Sequence, residues 1–526
     1  MQLEAQELLD ISRAMEASLA PDDADSSPGE VSPPSLSSSS SSEEEEKDHA
    51  PVWSTITADV RMPAFEAPSG KQHEARRAQS PLEFLQLFLP IELMQQLAAH
   101  TTAYAHTRGA AADWQTTASE LYAFLGVHIF MGICPLPQWH MYWSAEFQQP
   151  FVAAAFRRDR FEQLLRFFHV APPHDAAAAR DPFSRVRPLI RALQQSFTRM
   201  YSPTQPLAVD ECIIGFKGRH EAKQYIKSKP TRWGYKVWCL ANSGYLLAFQ
   251  VYEGKEELRS AEGQAHRVVI ELTRPYHGVP HIVFLDNYFT SPSVLDALQR
   301  RGMRGCGTVQ RRRRGMPEID AAAIDVLQRG EYISRQRGDL SLVVWRDRRP
   351  VWVLSNHCSP KETASLERSG AAGSMVAVPC PRAVRDYNFH RGEVDRVDQL
   401  HESYLIGRKS KKSWPRLAWW LLDMCIINAF QLWAIGKQDA RQLDFRIQLM
   451  HALVNLLEAD QQALQQSRGA NASIALAKDH HPVRTEEERR CVSCTSRGIG
   501  PRRSVYICKA CKVHLCVEPC FGLYHQ

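Results

Sequence analysis

Apolar positions recur along this chain in two rhythms, and the change between them divides it. Leu82, Leu85 and Leu89 are spaced as on a helix up to Pro90, which suits the start of a second helix running through Leu93, Met94 and Leu97. Helical spacing returns over Ser119–Met131, Arg158–His169 and Asp181–Tyr201, so residues 80–205 read as helical. At Pro206 the rhythm shortens. "PLAVDECIIGF" is a strand, and "YKVWCLANSGYLLAFQVYEG" is two strands about an Asn242-Ser243-Gly244 turn, a hairpin signal. A helical stretch and the apolar run His281–Leu285 complete a first β-rich block over 206–299. Further short strands, Leu340–Trp345 and Val351–Ser355, mark 300–380, and helical spacing resumes at Val394 and runs to about Gln466. A polar stretch, 467–490, reads as a linker to a Cys-rich tail, 491–526. There is no internal repeat.

Residues 1–79 lack either rhythm beyond a short amphipathic stretch, Leu3 to Leu19. Ser37–Ser42 run directly into Glu43–Glu46, a composition that buries too little apolar surface to order itself, so this region is expected to be disordered. The serine run reads as solvated linker or as a phosphorylation site. The net charge of +6 is unevenly spread: residues 1–80 hold 16 acidic against 6 basic side chains, and the remainder is correspondingly basic. A basic body suits a polyanionic partner. No signal-type run opens the chain, which argues against secretion. Leu417–Ile435 is apolar enough to resemble a membrane span, but Asp423, Asn428 and Gln431 within it favour a buried core helix and no membrane.

Three acidic positions stand out against this pattern. Asp210 interrupts an apolar strand, "LAVDECII", and Asp286 ends another, "VFLDN". A carboxylate in such a place is costly unless it has a partner or ligand. Asp395 and Asp398, in "GEVDRVDQL", lie three apart and share a helix face, so either or both can reach a common site. Strand-Asp, strand-Asp, helix-Asp is the order of an RNase H-like nuclease, in which carboxylates from separate elements hold two Mg²⁺ (or Mn²⁺) ions for phosphodiester chemistry. The 109 positions between Asp286 and Asp395 are too many for a loop and imply a folded insertion, assigned to 300–380.

Basic residues cluster near these positions. Lys217, Arg219, Lys227, Lys229, Arg232 and Lys236 follow the first Asp as candidate phosphate contacts. Arg311–Arg314 form the densest basic run; Arg311 and Arg312 are candidate DNA contacts, and the run also reads as a nuclear import signal. Arg408, Lys409, Lys411 and Lys412 precede Trp414, which either stacks on an unpaired base or caps the core helix that follows. Of 13 cysteines, six fall in the last 36 residues. Cys491-x2-Cys494, Cys508-x2-Cys511, His514-x-Cys516, Cys520 and His525 have the spacing of tetrahedral Zn²⁺ ligands. Eight ligands suggest two structural zinc ions. The interleaved pairing expected is Cys491, Cys494, His514 and Cys516 for one, and Cys508, Cys511, Cys520 and His525 for the other.

Several blocks, in order, resemble the piggyBac transposase family. "VDECIIGFKGRH", "KSKPTRWGYKVW", "LDNYFTS", "GTVQRRRRGMP", "RGEVDRVDQL" and "SWPRLAWWLLDMCIINAFQLW" are similar to its motifs, and "SPLEFLQLF", "YAFLGVHIFMGICPLP" and "RDRFEQLLRFFHV" fit upstream. Gln310 departs from the arginine usual at its place. The resemblance implies an α/β chain with an RNase H-like catalytic core carrying an inserted β-rich subdomain. An all-helical dimerisation and DNA-binding domain, 80–205 and 381–466, surrounds it, and a zinc-binding domain closes the chain. It further implies Asp210, Asp286 and Asp395 as catalytic metal ligands with Asp398 as their essential neighbour, and a nuclear homodimer acting on double-stranded DNA. The implied reaction is cut-and-paste transposition through hairpin ends into TTAA targets. The rival expectation is a domesticated DNA- or chromatin-binding descendant; a damaged aspartate would favour it, and all four are present.

Overall fold

The computed structural model describes residues 52–525 apart from 174–180, 228, 230, 255–262, 370–373, 408, 409, 411, 499 and 501. The stretch Leu3–Leu19, the Ser37–Glu46 run, Arg408, Lys409 and Lys411 therefore lie outside the described residues.

A nine-stranded sheet organises the chain. Its strands are β1 (Pro206–Gly215), β2 (Gln224–Tyr225), β3 (Trp233–Asn242), β4 (Tyr245–Val251), β5 (Ile282–Leu285), β6 (Arg304–Thr308), β7 (Tyr332–Arg337), β8 (Leu340–Arg346) and β9 (Pro350–Ser355). Five of them run in the spatial order β4-β3-β1-β5-β6, with β1, β5 and β6 parallel and β3 antiparallel to both of its neighbours. This is the RNase H-like arrangement. Helices α6 (Gln264–Thr273) and α7 (Pro292–Arg300) make the crossovers into β5 and β6 that parallel strands require. Period-two alternation separates two cores. Leu207, Val209, Val283 and Leu285 enter the larger, whereas Ala208, Ile282 and Phe284 enter a second on the opposite face.

The β-rich insertion is present, and it is joined to the central sheet. Four strands of 300–380 do not stand apart: β6 to β9 extend the central sheet beyond β5, and only a hairpin, Thr363–Ser369 with Met375–Pro381, is a separate ribbon. Helical structure also resumes earlier than Val394, in α8 (Arg382–His390), whose Ala383, Val384 and Tyr387 close the second core. The N-terminal expectation changes as well. Residues 52–79 are ordered: Ser54 bridges Gln336 on the edge strand β7, Ala58 N–H donates to the Gln336 Oε1 at 2.7 Å, and Met62 packs on the second core. This strap covers an edge that would otherwise offer unpaired backbone groups.

The helical part comprises α1 (Pro81–Gln86), α2 (Ile91–Thr107), α3 (Ala118–Ile133), α4 (Arg158–Phe167) and α5 (Arg187–Met200), then α9 (Glu393–Ser403), α10 (Ser413–Ala434) and α11 (Gln442–Asp479). Pro90 caps α2 as its spacing predicts. Gly126 lets α3 approach α11 closely; a Cβ there would lie 3.0 Å from the Met450 carbonyl oxygen. α10 is long and apolar enough to cross a membrane, but 89% of its apolar window is buried within the protein. Its polar residues are matched: Asn428 donates to and accepts from the Leu246 backbone at 2.9 Å, and Asp423 accepts from Arg446 at 2.7 Å. The expected linker, 467–490, is not one. α11 continues to Asp479, and a strand, β10 (Pro482–Arg490), follows and pairs with β11 (Arg503–Cys508). Alanine, leucine and isoleucine recur there among the polar residues, a composition that sustains helix even where no amphipathic rhythm shows.

Candidate active site and metal-binding tail

The register of the sheet brings the first two aspartates together. Val209 on β1 pairs with Leu285, the last residue of the parallel strand β5, so Asp210, midway along β1, and Asp286, just past the end of β5, stand side by side. Asp286 is fixed by the turn it opens, its Oδ1 accepting the N–H groups of Tyr288 at 3.0 Å and Phe289 at 3.3 Å. Asp210 Oδ1 accepts the Glu211 N–H at 2.7 Å. Carboxylate oxygens of Asp210, Glu211 and Asp286 all lie within 4.8 Å of one another. α9 packs across β1 and β3, bringing Asp395 within electrostatic reach of Asp210, and Asp398 on the same helix face within reach of Lys229, both outside that tight group.

The electrostatics show how strained this gathering is. Burial, and the charges of Asp286, Glu211 and Asp395, push the Asp210 carboxyl well above its usual range against the opposing pull of Lys229. Burial and then Glu211 raise Asp286 to about 6. Burial and then Asp395 raise Asp398 to about 7. Lys229 is the compensating cation: burial alone would lower its ammonium, but Asp210, Glu211, Asp395 and Asp398 outweigh that and raise it. Its Nζ also donates to the Glu211 carbonyl at 3.3 Å. Glu211 Oε2 is buried without a hydrogen-bond partner, its nearest cation being Lys236 Nζ at 3.7 Å. A set of converging oxygens with one orphaned acceptor fits a hard divalent cation.

Of the expected phosphate contacts, Lys217, Arg219, Lys227 and Arg232 are exposed, and Lys229 and Lys236 sit at the carboxylates. The Lys236 ammonium also lies 4.5 Å over the Tyr288 ring. Arg311 and Arg312 are exposed, with the Arg311 guanidinium 5.9 Å over Trp352. Lys412 is exposed. Trp414 is not: only 8% of it is accessible, and it packs edge-on against His169 with ring centroids 4.8 Å apart. It is a core residue of α10, too buried to stack on a base.

Sequence reasoning missed two groups here. Neighbours on a strand ordinarily face opposite ways, which hides Glu211 from a sequence reading, yet its longer side chain joins Asp210. Arg313, inside the basic run, donates to the carbonyls of Asn287 and, at 3.2 Å, Tyr288, beside Asp286. Its signal was proximity in the fold alone.

In the tail two ligand sets assemble, and their membership differs from that expected. Cys491, Cys494, Cys516 and Cys520 converge, with Cys494 Sγ 3.9 Å from Cys516 Sγ and 3.3 Å from Cys520 Sγ. His480, Cys508, Cys511 and His525 form the other set, with Cys511 Sγ 3.2 Å from His480 Nδ1 and 3.4 Å from His525 Nε2. Ligands 2.0–2.3 Å from a tetrahedral centre are separated by roughly these distances. His514 belongs to neither set: its Nδ1 bonds the Ser504 carbonyl at 3.0 Å within the β11 hairpin. Cys520 changes partners, and His480, donated by the end of α11, takes the vacated role. Donors of this softness fit zinc. Burial opposes ionisation of Cys491, but N–H groups of Cys494 and Cys516 directed at its sulfur hold the thiol at about 7.

An RNase H-like sheet with acidic residues at adjacent parallel strands and on a following helix, ending in a cross-braced Cys/His tail, defines a transposase-class chain. A family model described as Transposase IS4 matches residues 80–430, and one described as a DDE_Tnp_1-like zinc finger matches 477–526. The chain belongs to the piggyBac transposase family. It is similar to human PiggyBac transposable element-derived protein 3, 29% identical over 85% of this chain and 76% of that protein. It is also similar to human PiggyBac transposable element-derived protein 2, 27% identical over 80% and 73%. In fold it matches the piggyBac transposase of a cryo-EM synaptic complex with hairpin DNA, at TM-score 0.65 and 22% identity over 86% of this chain and 98% of that one. A DDE-type family implies a divalent metal, and the tail suggests zinc.

Proposed function

We propose that this chain is a DNA transposase whose catalytic carboxylates are Asp210, Asp286 and Asp395, with Asp398 and Glu211 completing the acidic site. These residues would hold two divalent ions, Mg²⁺ or Mn²⁺. When bound, such ions neutralise the scissile phosphate and activate the attacking oxygen. The chain's own part is to hold the carboxylates on rigid strands and a clamped helix, and to place cations along the DNA backbone. Lys229, Lys236 and Arg313 stand nearest the reacting phosphate; Lys217, Arg219, Lys227, Arg311, Arg312 and Lys412 track its flanks. Arg408 and Lys409 are proposed to extend that track.

Each chemical step exchanges one P–O bond for another. Water opens each element end, the freed 3′-OH attacks the opposite strand to give a hairpin, and after reopening the 3′-OH joins a TTAA target. The protein acts on double-stranded DNA as a homodimer in the nucleus, and two structural zinc ions fold the tail. The observation that carries this reading is the placement of Asp210 beside Asp286 on parallel strands, with Glu211 gathered in and α9 lying across them. A second reading has a specific support: the human relatives are named transposable element-derived proteins. In it the fold binds DNA or chromatin without moving an element. An excision reporter in cells, flanked by the DNA bordering this chain's own coding element, separates the two. Excision lost in Asp210→Ala, Asp286→Ala and Asp395→Ala supports the transposase; excision that persists in any of them sinks the catalytic assignment. A wild-type chain that never excises supports the second reading.

A further inference from the structure

The helix that carries Asp395 and Asp398 has no side-chain cap at its start, where Gly392 is the N-cap. What meets its first turn is the tip of the β3–β4 hairpin. Glu393 Oε2 accepts the Gly244 N–H at 3.1 Å, and the Ser243 N–H faces the same carboxylate. Those two residues hold φ of 51° and 73°, the left-handed pair of a tight hairpin turn, which aims successive N–H groups outward.

The hairpin is itself rigid. Asn242 donates to the Pro206 carbonyl at 2.7 Å and accepts from the Tyr201 hydroxyl at 2.8 Å. Asn428 of α10 pins Leu246 on the other side. A Cβ at Gly244 would come within 2.9 Å of Gln431 Nε2 and 3.3 Å of Arg396, so the turn is wedged between α10 and α9. The hairpin also belongs to the strand that pairs with Asp210: Cys239, opposite Asp210, lies on β3. At its far end α9 is tied again, through Arg446 to the Tyr404 carbonyl at 3.1 Å.

We infer that Glu393 is a positioning residue, a latch that holds the first turn of α9 to the β3–β4 hairpin and thereby sets Asp395 and Asp398 against Asp210. The inference rests on the metal-site reading above. Groups that hydrogen-bond metal ligands directly are worth about 10–100-fold in affinity or activity; Glu393 acts through the helix that carries the ligands, so the low end, about tenfold, is expected. A carboxylate near a helix start also favours the helix dipole, which offers a rival explanation of Glu393. The two differ in which variant rescues. The latch needs an acceptor at this reach, so Glu393→Gln retains it and Glu393→Asp, one methylene shorter, does not. The dipole needs charge, so the order reverses.

The test is calorimetric titration of Mn²⁺ into the zinc-loaded full chain, with Asp395→Asn as reference and melting temperature recorded for each variant. The latch predicts Mn²⁺ affinity near wild type in Glu393→Gln and about tenfold weaker in Glu393→Asp and Glu393→Ala. Equal affinity in all three, or loss in Glu393→Gln with retention in Glu393→Asp, overturns it. If Asp395→Asn binds Mn²⁺ as wild type does, the metal-site reading falls. If Asp395→Asn is weak while Glu393→Asp is unaffected, only the latch falls.

Discussion

Replacing His480 by alanine removes the one tail ligand that the long helix α11 donates. Its Nδ1 stands 3.2 Å from Cys511 Sγ and 3.5 Å from Cys508 Sγ, so those thiols and His525 are left as a three-ligand set. Structural zinc in small modules binds with roughly 10–16 kcal/mol shared over four ligands. Losing one ligand then weakens the site by about 3 kcal/mol, or about a hundredfold at ~1.4 kcal/mol per decade. The comparison is His514→Ala. His514 is a candidate ligand by spacing, but it is 8% exposed and bonded to the Ser504 carbonyl. Removing it strands a buried acceptor, costing about 1–3 kcal/mol of stability while leaving both ligand sets whole. Zinc per chain is read by native mass spectrometry during competition with a chelator. Wild type and His514→Ala are expected to retain two ions, and His480→Ala to release one at much lower chelator concentration. Loss of an ion from His514→Ala with retention in His480→Ala would refute the partition.

Trp414→Ala opens a cavity against Phe168 and His169 and is expected to cost about 3–5 kcal/mol, seen as a lowered melting temperature with DNA affinity of the folded fraction unchanged. The reverse outcome would restore Trp414 to the DNA surface. Arg446→Met leaves Asp423, with 1% of its side chain exposed, without its buried cation partner and is expected to destabilise by about 3–5 kcal/mol; adding Asp423→Leu should recover much of that in denaturant titrations. His169 is held down to about 4, first by burial and then by Arg185, His100 and Lys412. Because the unfolded chain takes up this proton near pH 6.5 and the folded chain does not, stability falls as pH drops from about 6.5 to about 4, by roughly 3 kcal/mol at most. His169→Phe should flatten that limb of the stability profile; an unchanged limb would assign it elsewhere.

The central strands were legible because their chemistry is local. Apolar β-branched runs broken by Asp210 and ended by Asp286 announce both the strand and its carboxylate, and the Ser243-Gly244 turn announces the hairpin between them. Helices with a two-sided pattern, such as α4 and α5, were legible for the same reason. What failed depended on neighbours far along the chain. The strands of 300–380 read correctly as a β-rich insertion, but nothing in their sequence shows that β9 pairs with β6 and so lengthens the same sheet. Every described residue of β10 except Thr485 is exposed, leaving no apolar alternation to see. Zinc ligands were paired by order, and order does not reveal that Cys520 folds back to Cys494 or that His480 arrives from α11. Trp414 beside four cations reads as either a base platform or a helix cap, and only the packing of Phe168 and His169 around it separates the two.

Most directly, the account is tested by anomalous scattering from crystals of the chain with a duplex carrying its element's own end, grown in Mn²⁺. It predicts manganese within bonding distance of Asp210, Asp286 and Asp395, lost in Asp210→Asn together with strand cleavage. Strand cleavage that proceeds with no manganese at these carboxylates, or that survives Asp210→Asn, would contradict it.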